Sequence, residues 1–417
     1  MSNGMKLSEE LVARGFIHQT SGELSEIVDG EKRIVYHGID PSADSAHAGN
    51  FVQWILLRHL AQAGHSIIFL VGGATGRIGD PKPDAERTLL PEEVIESNVA
   101  KIKTQAESFI GTGDITFVNN YDWFKHIKFI DFLRDIGKHF SVNELMKKDA
   151  IANRLASDVG LSYTEFAYPL IQGYDYLKLY RSHGCNVQTG GSDQWGNIVA
   201  GVDLVRRKEQ QTVYAITQPL VIDKTTGQKF GKSEGNAVWL DASKTSPYQF
   251  YQFWLNTADE NVVEFLKRFT FTPLADIKDL VVKHEEDRGE RIAQKHLAKA
   301  VTTLVHGEEI TLSVEKASQF LFGGGNISDL SAAEMAVVIE NAPITLVTGS
   351  ECIVDVLVES ALAKSKREAR MFVEEGAISI NGDKVQDADM RLDSVLFHEG
   401  VAFVKRGKKQ LSVLRLR

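Results

Sequence analysis

The sequence predicts an α/β fold with a parallel sheet, followed by an α-helical region and a small α+β domain. Residues 66–71 (SIIFLV) form a continuous, β-branched apolar run, which is typical of a strand that is buried on both faces. Strand-like and helix-like segments alternate over residues 33–110, as they do in parallel sheets. From residue 241 to 320 the pattern becomes mostly helical.

The individual elements are predicted from apolar periodicity and from capping residues. In the first half they are a helix over 6–14 that Gly15 ends, a strand over 33–38, a helix over 51–63, a helix that Pro91 opens, and a strand over 114–118. In the second half they are a strand, glycine turn and helix over 186–200, a flexible break at 323–326, a helix over 331–342, a linker near 343–350, a helix that starts at Ser365, and a strand and turn over 378–382.

Composition and charge describe an ordinary globular protein. The net charge of −9 argues against a wholly basic nucleic-acid binder but permits a local RNA-binding patch. Cys185 and Cys352 lie apart and near no His/Cys cluster, so we expect neither a disulfide framework nor a bound metal. No signal peptide and no membrane-spanning run is apparent, and we therefore expect a cytoplasmic protein.

The first segment that suggests chemistry is residues 36–50 (YHGIDPSADSAHAGN), between a predicted strand and a predicted helix. His47 and Asn50 would lie at the start of that helix, where both can donate hydrogen bonds to phosphate. Gly49 would let a flat ring approach the backbone. Taken alone, the segment is better explained as a loop rich in capping residues.

Two glycine-rich segments follow. Residues 72–81 (GGATGRIGDP) predict a tight turn that lines a pocket, in which Asp80 could face an ammonium group. Residues 226–233 (TGQKFGKS) miss the P-loop spacing by one residue, yet Lys229 and Lys232 could still clamp a polyphosphate. The alternative for the second segment is a solvated turn.

Polar side chains also mark two later segments. Tyr168, Gln172 and Asp175 fall on one face of a predicted helix, which is costly to bury unless the face binds something. An amphipathic helix with Tyr168 at the surface is the alternative. Residues 188–195 (QTGGSDQW) could hold a ribose and a carboxylate, or could simply start a helix with Ser192 as its N-cap.

In their order and spacing, these segments resemble the bacterial-type tyrosyl-tRNA synthetases, a family of class I aminoacyl-tRNA synthetases. Residues 36–50 resemble that family's HIGH region, and residues 229–233 (KFGKS) resemble its KMSKS signature. The resemblance covers nearly the whole chain. It implies a Rossmann-like catalytic domain at 1–225, a signature loop with an α-helical domain at 226–345, and an RNA-binding domain of the S-four type at 351–417.

The resemblance also implies a role for each matching residue. Tyrosine would be held at its phenol by Tyr36 and Asp175, at its ammonium group by Asp80, Tyr168 and Gln172, and near its carboxylate by Gln188 and Gln194. ATP would be bound by Gly38, Asp40, His47, Asn50, Gly191, Asp193, Lys229 and Lys232. The catalytic set would be His47, Asn50, Lys229, Lys232 and Ser233. Three residues depart from the commoner family pattern, namely His37, Asn50 and Gln53.

The carboxyl-terminal region is expected to bind RNA. Residues 351–417 carry twelve Lys and Arg against eleven Asp and Glu, and residues 401–417 contain six basic and no acidic side chains. The RNA-binding residues are expected to be Lys366, Arg367, Arg370, Lys405, Arg406, Lys408 and Lys409. A basic surface helix without a ligand is the alternative.

The predicted activity is tyrosine–tRNA ligation, with L-tyrosine, ATP and tRNA(Tyr) as substrates, Mg²⁺ accompanying ATP, and a homodimer as the family's usual assembly. A tryptophanyl-tRNA synthetase is the nearest rival, and Tyr36, Asp175 and the basic terminal domain argue against it. A non-catalytic RNA-binding relative is a second rival, and the intact His47, Asp80 and Lys229 argue against that. The loop spacing disfavours a P-loop ATPase.

Overall fold

The computed structural model describes residues 4–417 except 82–87, 112–114, 157–159, 231–236, 324–328 and 408–409, and it leaves the side chains of 149, 150 and 323 undescribed. The chain forms two compact units. The first is Met1–Lys244 with Thr257–Leu297, and the second is Thr245–Asn256 with Ala298–Arg417. The predicted division into three domains stays a prediction.

The strands of the described residues are β1 (Gln19–Thr20), β2 (Ile34–Ile39), β3 (Ser66–Val71), β4 (Ile115–Asn119), β5 (Val187–Gly191), β6 (Tyr214–Gln218), β7 (Ile344–Val347), β8 (Ile378–Ile380), β9 (Asp383–Lys384), β10 (Val401–Arg406) and β11 (Gln410–Leu416). The helices are α1 (Leu7–Arg14), α2 (Leu24–Val28), α3 (Ala48–Gln62), α4 (Glu92–Ile110), α5 (Tyr121–Phe124), α6 (Phe129–Asp135), α7 (Val142–Met146), α8 (Asp149–Leu155), α9 (Tyr163–His183), α10 (Trp195–Glu209), α11 (Pro247–Leu255), α12 (Asp259–Phe269), α13 (Leu274–Glu286), α14 (Ile292–His306), α15 (Glu308–Gly323), α16 (Ala332–Asn341), α17 (Ile353–Glu359) and α18 (Lys366–Glu374).

The first unit is built on a six-stranded sheet in the order β1-β6-β5-β2-β3-β4. Only β1 runs antiparallel to its neighbour, and the other pairs are parallel, which confirms the predicted parallel sheet. From β2 the chain winds through β3 to β4, and it then returns to place β5 on the other side of β2. The strand order therefore reverses between β2 and β5, the point at which open α/β sheets bind ligands.

The apolar patterns of the sequence account for this core. Every residue of β5 is buried, as are Ile67–Val71 of β3, and α3 packs on β3 and on α4. Helices α9 and α10 pack on each other, and α10 also packs on β5 and β6. Continuous burial of a strand requires cover on both faces, and these helices provide that cover.

The second unit contains helices and a five-stranded sheet in the order β7-β11-β10-β8-β9. Helices α17 and α18 pack on one another, and their apolar side chains share a core with those of the sheet. The turn between β8 and β9 uses Asn381 and Gly382 at φ of 53° and 103°, the left-handed region that a tight hairpin requires. The predicted α+β domain at the carboxyl end is thereby confirmed.

Two boundaries differ from the prediction. Helix α3 begins at Ala48 rather than 51, because His47 acts as its N-cap and Asn50 completes a capping box. The predicted linker at 343–350 is wrong, since residues 344–347 form β7, which pairs in parallel with β11. The predicted break at 323–326 falls largely outside the described residues.

Candidate active site

The floor of the site is formed where the strand order reverses. Tyr36 of β2 lies opposite Gln188 of β5 in the sheet register, and their side chains are only 1% and 2% exposed. The Tyr36 ring packs edge-to-face on Tyr176, with ring centroids 6.0 Å apart. Burial, followed by the charge of Asp175, raises the pKa of Tyr36 well above its usual range, so the phenol is neutral. A Cβ at Gly38 would lie 3.2 Å from the Tyr36 hydroxyl, which favours glycine there.

Asp175 of α9 carries its carboxyl group into the same buried region. Its two oxygens accept hydrogen bonds from Asn120 Nδ2 at 3.0 Å and from Trp123 Nε1 at 2.9 Å. Burial raises the pKa of Asp175 to about 8, and the two donors oppose that rise. A carboxyl group that is this deeply buried can recognise a ligand hydroxyl group by forming a hydrogen bond with it.

Asn120 joins Asp175 to the predicted glycine turn. Its Oδ1 accepts from the Ala74 backbone N–H at 2.7 Å, and its Nδ2 also donates to Thr75 Oγ1 at 3.2 Å. The turn itself needs glycine, because a Cβ at Gly72 would lie 2.0 Å from Thr75 Oγ1 and one at Gly73 would lie 2.3 Å from Asn119 Oδ1. The turn after β3 and the residues after β4 therefore hold one another in place.

Acidic side chains form the next part of the site. Tyr168 donates from its hydroxyl to Asp40 Oδ2 at 2.9 Å, and burial raises the pKa of Tyr168 well above its usual range. Asp80 accepts from Gln194 Nε2 at 2.9 Å and from Asn197 Nδ2 at 3.3 Å. Two carboxylates in a partly buried cleft suit a cationic ligand.

Two buried amide oxygens of the site have no hydrogen-bond partner among the described residues. They are Gln172 Oε1 on α9 and Gln188 Oε1 on β5. Buried acceptors are normally paired, and an unpaired one costs free energy until a ligand or a water molecule donates to it. Both oxygens are thus suited to accept from a bound ligand.

His47 and Asn50 start α3, as predicted. His47 Nδ1 accepts from the Gly49 backbone N–H at 3.0 Å, and Asn50 Oδ1 accepts from the His47 N–H at 3.2 Å. The capping explanation is therefore correct, and it is compatible with phosphate binding. Since Nδ1 accepts, the neutral ring carries its proton on Nε2, where it can donate, and the helix N-terminus favours a negative charge.

The first part of the lysine-rich signature lies beside the start of α3. Lys229 pairs with Ile222 in a short β-bridge, and its Nζ lies 3.7 Å from Asp193 Oδ2. The Phe230 carbonyl oxygen lies 2.9 Å from where a Cβ at Gly49 would be, so glycine at this position lets the loop approach closely. A Cβ at Gly191 would lie 2.7 Å from Asp193 Oδ1. Lys232 and Ser233 lie outside the described residues.

A cleft of about 850 Å³ extends beside Asp80 and Asp193. Its lining includes the basic residues Lys147, Lys148 and Arg207 and the aromatic residue Trp195. Lys148 donates to Asn197 Oδ1 at 3.3 Å, and burial lowers the pKa of Lys148 to about 8. The cleft is large enough for a chain end to enter beside the acidic residues.

The three departures from the family pattern keep polar atoms in the site. His37 is 6% exposed, its Nδ1 lies 3.4 Å from the Thr189 carbonyl oxygen, and burial lowers its pKa to about 4. Gln53 Oε1 is another buried oxygen without a hydrogen-bond partner in the described part of the chain. Asn50 takes part in the cap of α3 through its oxygen.

The predicted RNA-binding residues divide into exposed and buried groups. Lys366, Arg367 and Arg370 project from α18; Lys366 is 71% exposed and Arg370 49%. Lys405 is only 6% exposed, and its ammonium group donates to the Phe320 carbonyl oxygen and lies over the Phe320 ring. The expectation that Lys405 faces RNA needs correction for this reason.

Arg406 is also largely engaged within the protein. It donates to the Leu362 carbonyl oxygen at 2.6 Å and stacks on Phe372 at 4.6 Å. Lys408 and Lys409 lie outside the described residues.

The described residues contain neither a candidate metal cluster nor a candidate membrane-spanning helix. No group of three or more His, Cys, Asp or Glu side chains there could hold a metal ion. In the same part of the chain, no helix combines the length and the apolarity that crossing a bilayer demands.

Comparison with known proteins identifies the family. The model of class I tRNA synthetases for W and Y matches residues 29–323, and that of the tyrosine–tRNA ligase SYY-like C-terminal domain matches residues 334–414. The tyrosine–tRNA ligase of Streptococcus suis is 48% identical over 98% of this chain and 100% of its own length. This chain belongs to the tyrosine–tRNA ligases. The ligase of Streptococcus mutans is 47% identical over the same shares of both chains.

Solved structures of tyrosyl-tRNA synthetases have the same fold as this tyrosine–tRNA ligase. The truncated mitochondrial enzyme of Aspergillus nidulans is 29% identical, with a TM-score of 0.69 over 77% of this chain and 95% of that one. The enzyme of Archaeoglobus fulgidus, at 18% identity and a TM-score of 0.56, covers 74% of this chain and 100% of that one. The second likeness concerns the fold alone.

Sequence reasoning missed three residues of the ligase site, namely Asn120, Trp123 and Asn197. Asn120 directly follows β4, and the carboxyl ends of parallel strands are where such sheets place ligand contacts. Following the predicted third strand to its end would have found Asn120. Asn197 lies one turn beyond the Asp193–Gln194 pair, but nothing in the sequence pattern points to Trp123.

Proposed function

We propose that this enzyme activates L-tyrosine with ATP and transfers the tyrosyl group to the 3′ end of tRNA(Tyr). A tyrosine carboxylate oxygen attacks the α-phosphorus, and the bond to the bridging oxygen of pyrophosphate breaks. A ribose hydroxyl of the tRNA then attacks the carbonyl carbon of tyrosyl-adenylate, and AMP leaves. The observation that carries this proposal is the buried pair Tyr36 and Asp175 at the reversal of the strand order.

Tyr36 and Asp175 would recognise the substrate by forming hydrogen bonds with its phenol hydroxyl group. Phenylalanine in the same position would leave a buried carboxyl group and a buried phenol without their partner, which is costly. The ammonium group of tyrosine would be held by Asp80, Tyr168 and Gln172, whose oxygens supply negative charge and an unpaired acceptor. Gln188 and Gln194 would lie near the substrate carboxylate.

ATP would be bound at the start of α3 and along the lysine-rich loop. His47 and Asn50 would contact the phosphate groups from the helix N-terminus, and Lys229 would approach them beside Asp193. The remaining proposed contacts are Gly38, Asp40, Gly191, Lys232 and Ser233. Since no protein nucleophile is needed, catalysis would consist of positioning and of stabilising the charge that grows on phosphate oxygens. Mg²⁺ would enter with ATP as part of the substrate.

The tRNA would meet two regions. The exposed cations of α18, Lys366 and Arg367 above all, would bind backbone phosphates, because both side chains are positively charged and open to solvent. The acceptor end would enter the cleft lined by Lys148, Trp195 and Arg207, which leads to the acidic residues of the active site.

A homodimer is proposed from the distribution of exposed apolar side chains. Several of the largest lie between β4 and β5, with exposed fractions between 45% and 69%; they are Phe129, Ile130, Val142, Met146, Leu155 and Tyr163. Such a concentration favours a partner surface, and a second copy is the commonest partner. The unpaired thiols Cys185 and Cys352 suit a reducing cytoplasm, where we place the enzyme.

ATP–pyrophosphate exchange with each of the twenty amino acids tests this proposal. Labelled pyrophosphate should enter ATP with tyrosine, and not with phenylalanine or tryptophan at matched concentrations. A reaction without any amino acid is the control. Exchange that tryptophan drives, or that no amino acid drives, would overturn the assignment.

A further inference from the structure

Asp44, in the loop before α3, lies between two lysines. Lys244 Nζ is 2.6 Å from one carboxylate oxygen, and Lys101 Nζ, on α4, is 2.9 Å from the other. The side chains of Asp44 and Lys244 are 26% and 32% exposed, while that of Lys101 is 54% exposed. The hydrogen bond with Lys244, then that with Lys101, lowers the pKa of Asp44 to about 2. The carboxylate is therefore ionised at every working pH.

Lys244 also covers an aromatic ring that touches the site. Its Nζ lies 5.2 Å from the centroid of the Trp239 ring, and that ring packs edge-to-face on His47 with centroids 6.0 Å apart. A cation over an indole ring is attracted by the ring's electron density. Asp44, Lys244, Trp239 and His47 thus form one continuous series of contacts.

The backbone supports the same series. Residues 238–240 run antiparallel to residues 46–48, with Ala48 N–H donating to the Val238 carbonyl at 2.8 Å and Leu240 N–H to the Ala46 carbonyl at 2.9 Å. A β-bridge links His47 with Trp239 between these two bonds. The segment that carries Trp239 is consequently seated against the start of α3.

We propose that Asp44 and Lys244 form a latch that positions His47 for the activation of tyrosine, acting through Trp239. The latch rests on the proposed function, because it matters only if His47 contacts ATP. Both are positioning residues, since they would act through Trp239 and His47. An isolated ion pair at this exposure would be weak, but the Asp44–Lys244 pair acts together with the ring contact to Trp239 and with two backbone hydrogen bonds.

Lys244→Met in the full-length chain tests the latch, with initial rates of ATP–pyrophosphate exchange as the measurement. We expect kcat to fall by about 3- to 10-fold while KM for tyrosine stays within about twofold, because only the phosphate side is disturbed. Lys244→Arg keeps a cation for both Asp44 and Trp239 and should recover most of the rate. Asp44→Asn should resemble Lys244→Met.

Lys101→Met is the matched control, since it removes the other cation of Asp44 without touching the segment that carries Trp239. It should stay within about twofold of the wild type. Raising the salt concentration from about 50 mM to about 500 mM should slow the wild type by a larger factor than it slows Lys244→Met, because only the wild type has the Asp44–Lys244 pair to lose.

Three results would each overturn the latch: a wild-type rate for Lys244→Met, an equal loss for Lys101→Met, or a loss that appears in KM for tyrosine. Unfolding of Lys244→Met would be detected as a large drop in Tm. In that case the exchange rates of Lys244→Arg and Asp44→Asn would test the latch instead. Failure of the wild type itself to exchange with tyrosine would be different, because it refutes the proposed function and the latch with it.

Discussion

At the scale of single residues, Asp175 has the most unusual environment of the site. It is 1% exposed, and its carboxyl oxygens meet two neutral donors, Asn120 and Trp123, with no cation bonded to them among the residues that the structure describes. Removing such a group from water disfavours its charged form. The donors recover part of that cost and fix the direction in which the carboxyl group faces.

This environment predicts a pH dependence of stability. The pKa of Asp175 is about 8 in the folded chain and about 3.9 in the unfolded chain, so between these values the folded state binds the extra proton. The contribution of this proton to the free energy of unfolding is complete below about pH 4 and is lost as the pH rises through 8. The asparagine of Asp175→Asn cannot ionise, so the variant does not lose this stability as the pH rises. The Tm of the variant minus the Tm of the wild type should therefore be larger at pH 8.5 than at pH 5.5 by at least about 2 °C.

Thermal unfolding by circular dichroism at both pH values measures this effect. Asp122→Asn, at a carboxylate that is 65% exposed, is the control for removing one acidic charge. A Tm difference for Asp175→Asn that does not change with pH would contradict the burial argument.

Prediction from sequence was uneven at this scale. Tyr36 and Asp175 could be proposed from the sequence because each belongs to a segment whose residue order resembles that of the tyrosyl-tRNA synthetases, and both are buried in the structure. Trp123 could not, because it reaches Asp175 across 52 residues from a helix of one turn that no periodicity marks. Contacts of that kind depend on how the chain returns to the sheet.

At the scale of elements, α1 is fastened to the end of α12 by one buried arginine. Arg14 donates to the carbonyl oxygens of Lys267, Thr270 and Thr272, and to the Glu10 carboxylate at 3.0 Å. Helix α12 in turn packs Phe265 against Phe230 of the lysine-rich signature. The amino-terminal helix thereby supports the base of the proposed ATP-binding loop.

Arg14→Met should destabilise the first unit by about 2–4 kcal/mol, because it leaves the buried Glu10 carboxylate and three carbonyl groups without a donor. We expect Tm to fall by about 3–8 °C. Arg288→Met, which breaks an exposed pair with Glu285, is the control and should change Tm by less than about 1 °C.

A second substitution separates the charge from the packing. Adding Glu10→Gln to Arg14→Met removes the unpaired carboxylate and should restore part of the lost Tm. An Arg14→Met variant as stable as the control would show that this contact is dispensable.

Elements could be predicted where periodicity and caps agree, as for α1 with Gly15 and for β3. The start of α3 was placed three residues late because its N-cap is a histidine, whose ring nitrogen replaces the usual hydroxyl or carboxylate. The sequence predicts a linker at β7 because the five residues between Pro343 and Gly349 look like a connection. Only pairing with β11, some seventy residues on, makes them a strand.

At the scale of the whole molecule, an acidic chain must bind a polyanion. The net charge is −9, so long-range attraction to tRNA cannot come from the overall charge. It has to come from a local face, and α18 offers one. The basic tail, which the sequence also predicts to bind RNA, is partly used inside the fold, as Lys405 demonstrates.

Lys366→Ala combined with Arg367→Ala should weaken tRNA(Tyr) binding and reduce the slope of log affinity against log salt by about 2. ATP–pyrophosphate exchange should not change, because neither side chain belongs to the activation site. Binding measured between about 50 and 200 mM salt gives the slope.

The control removes two other exposed lysines, Lys103 and Lys299, which are 49% and 50% exposed. An unaltered slope in the Lys366/Arg367 variant, or an equal reduction in the control, would exclude α18 as a phosphate-binding face.

The pairing of Tyr36 with Gln188 across two central strands has a consequence for how this family can diversify. Slipping either strand by one position would turn all of its side chains over and destroy the hydrophobic interior along with the pocket. A new amino-acid preference must therefore arise by substituting side chains on two strands whose register does not change. Surface loops and the terminal domain are free of that constraint. The residues that recognise the nucleic acid can therefore change while the specificity for the amino acid is kept.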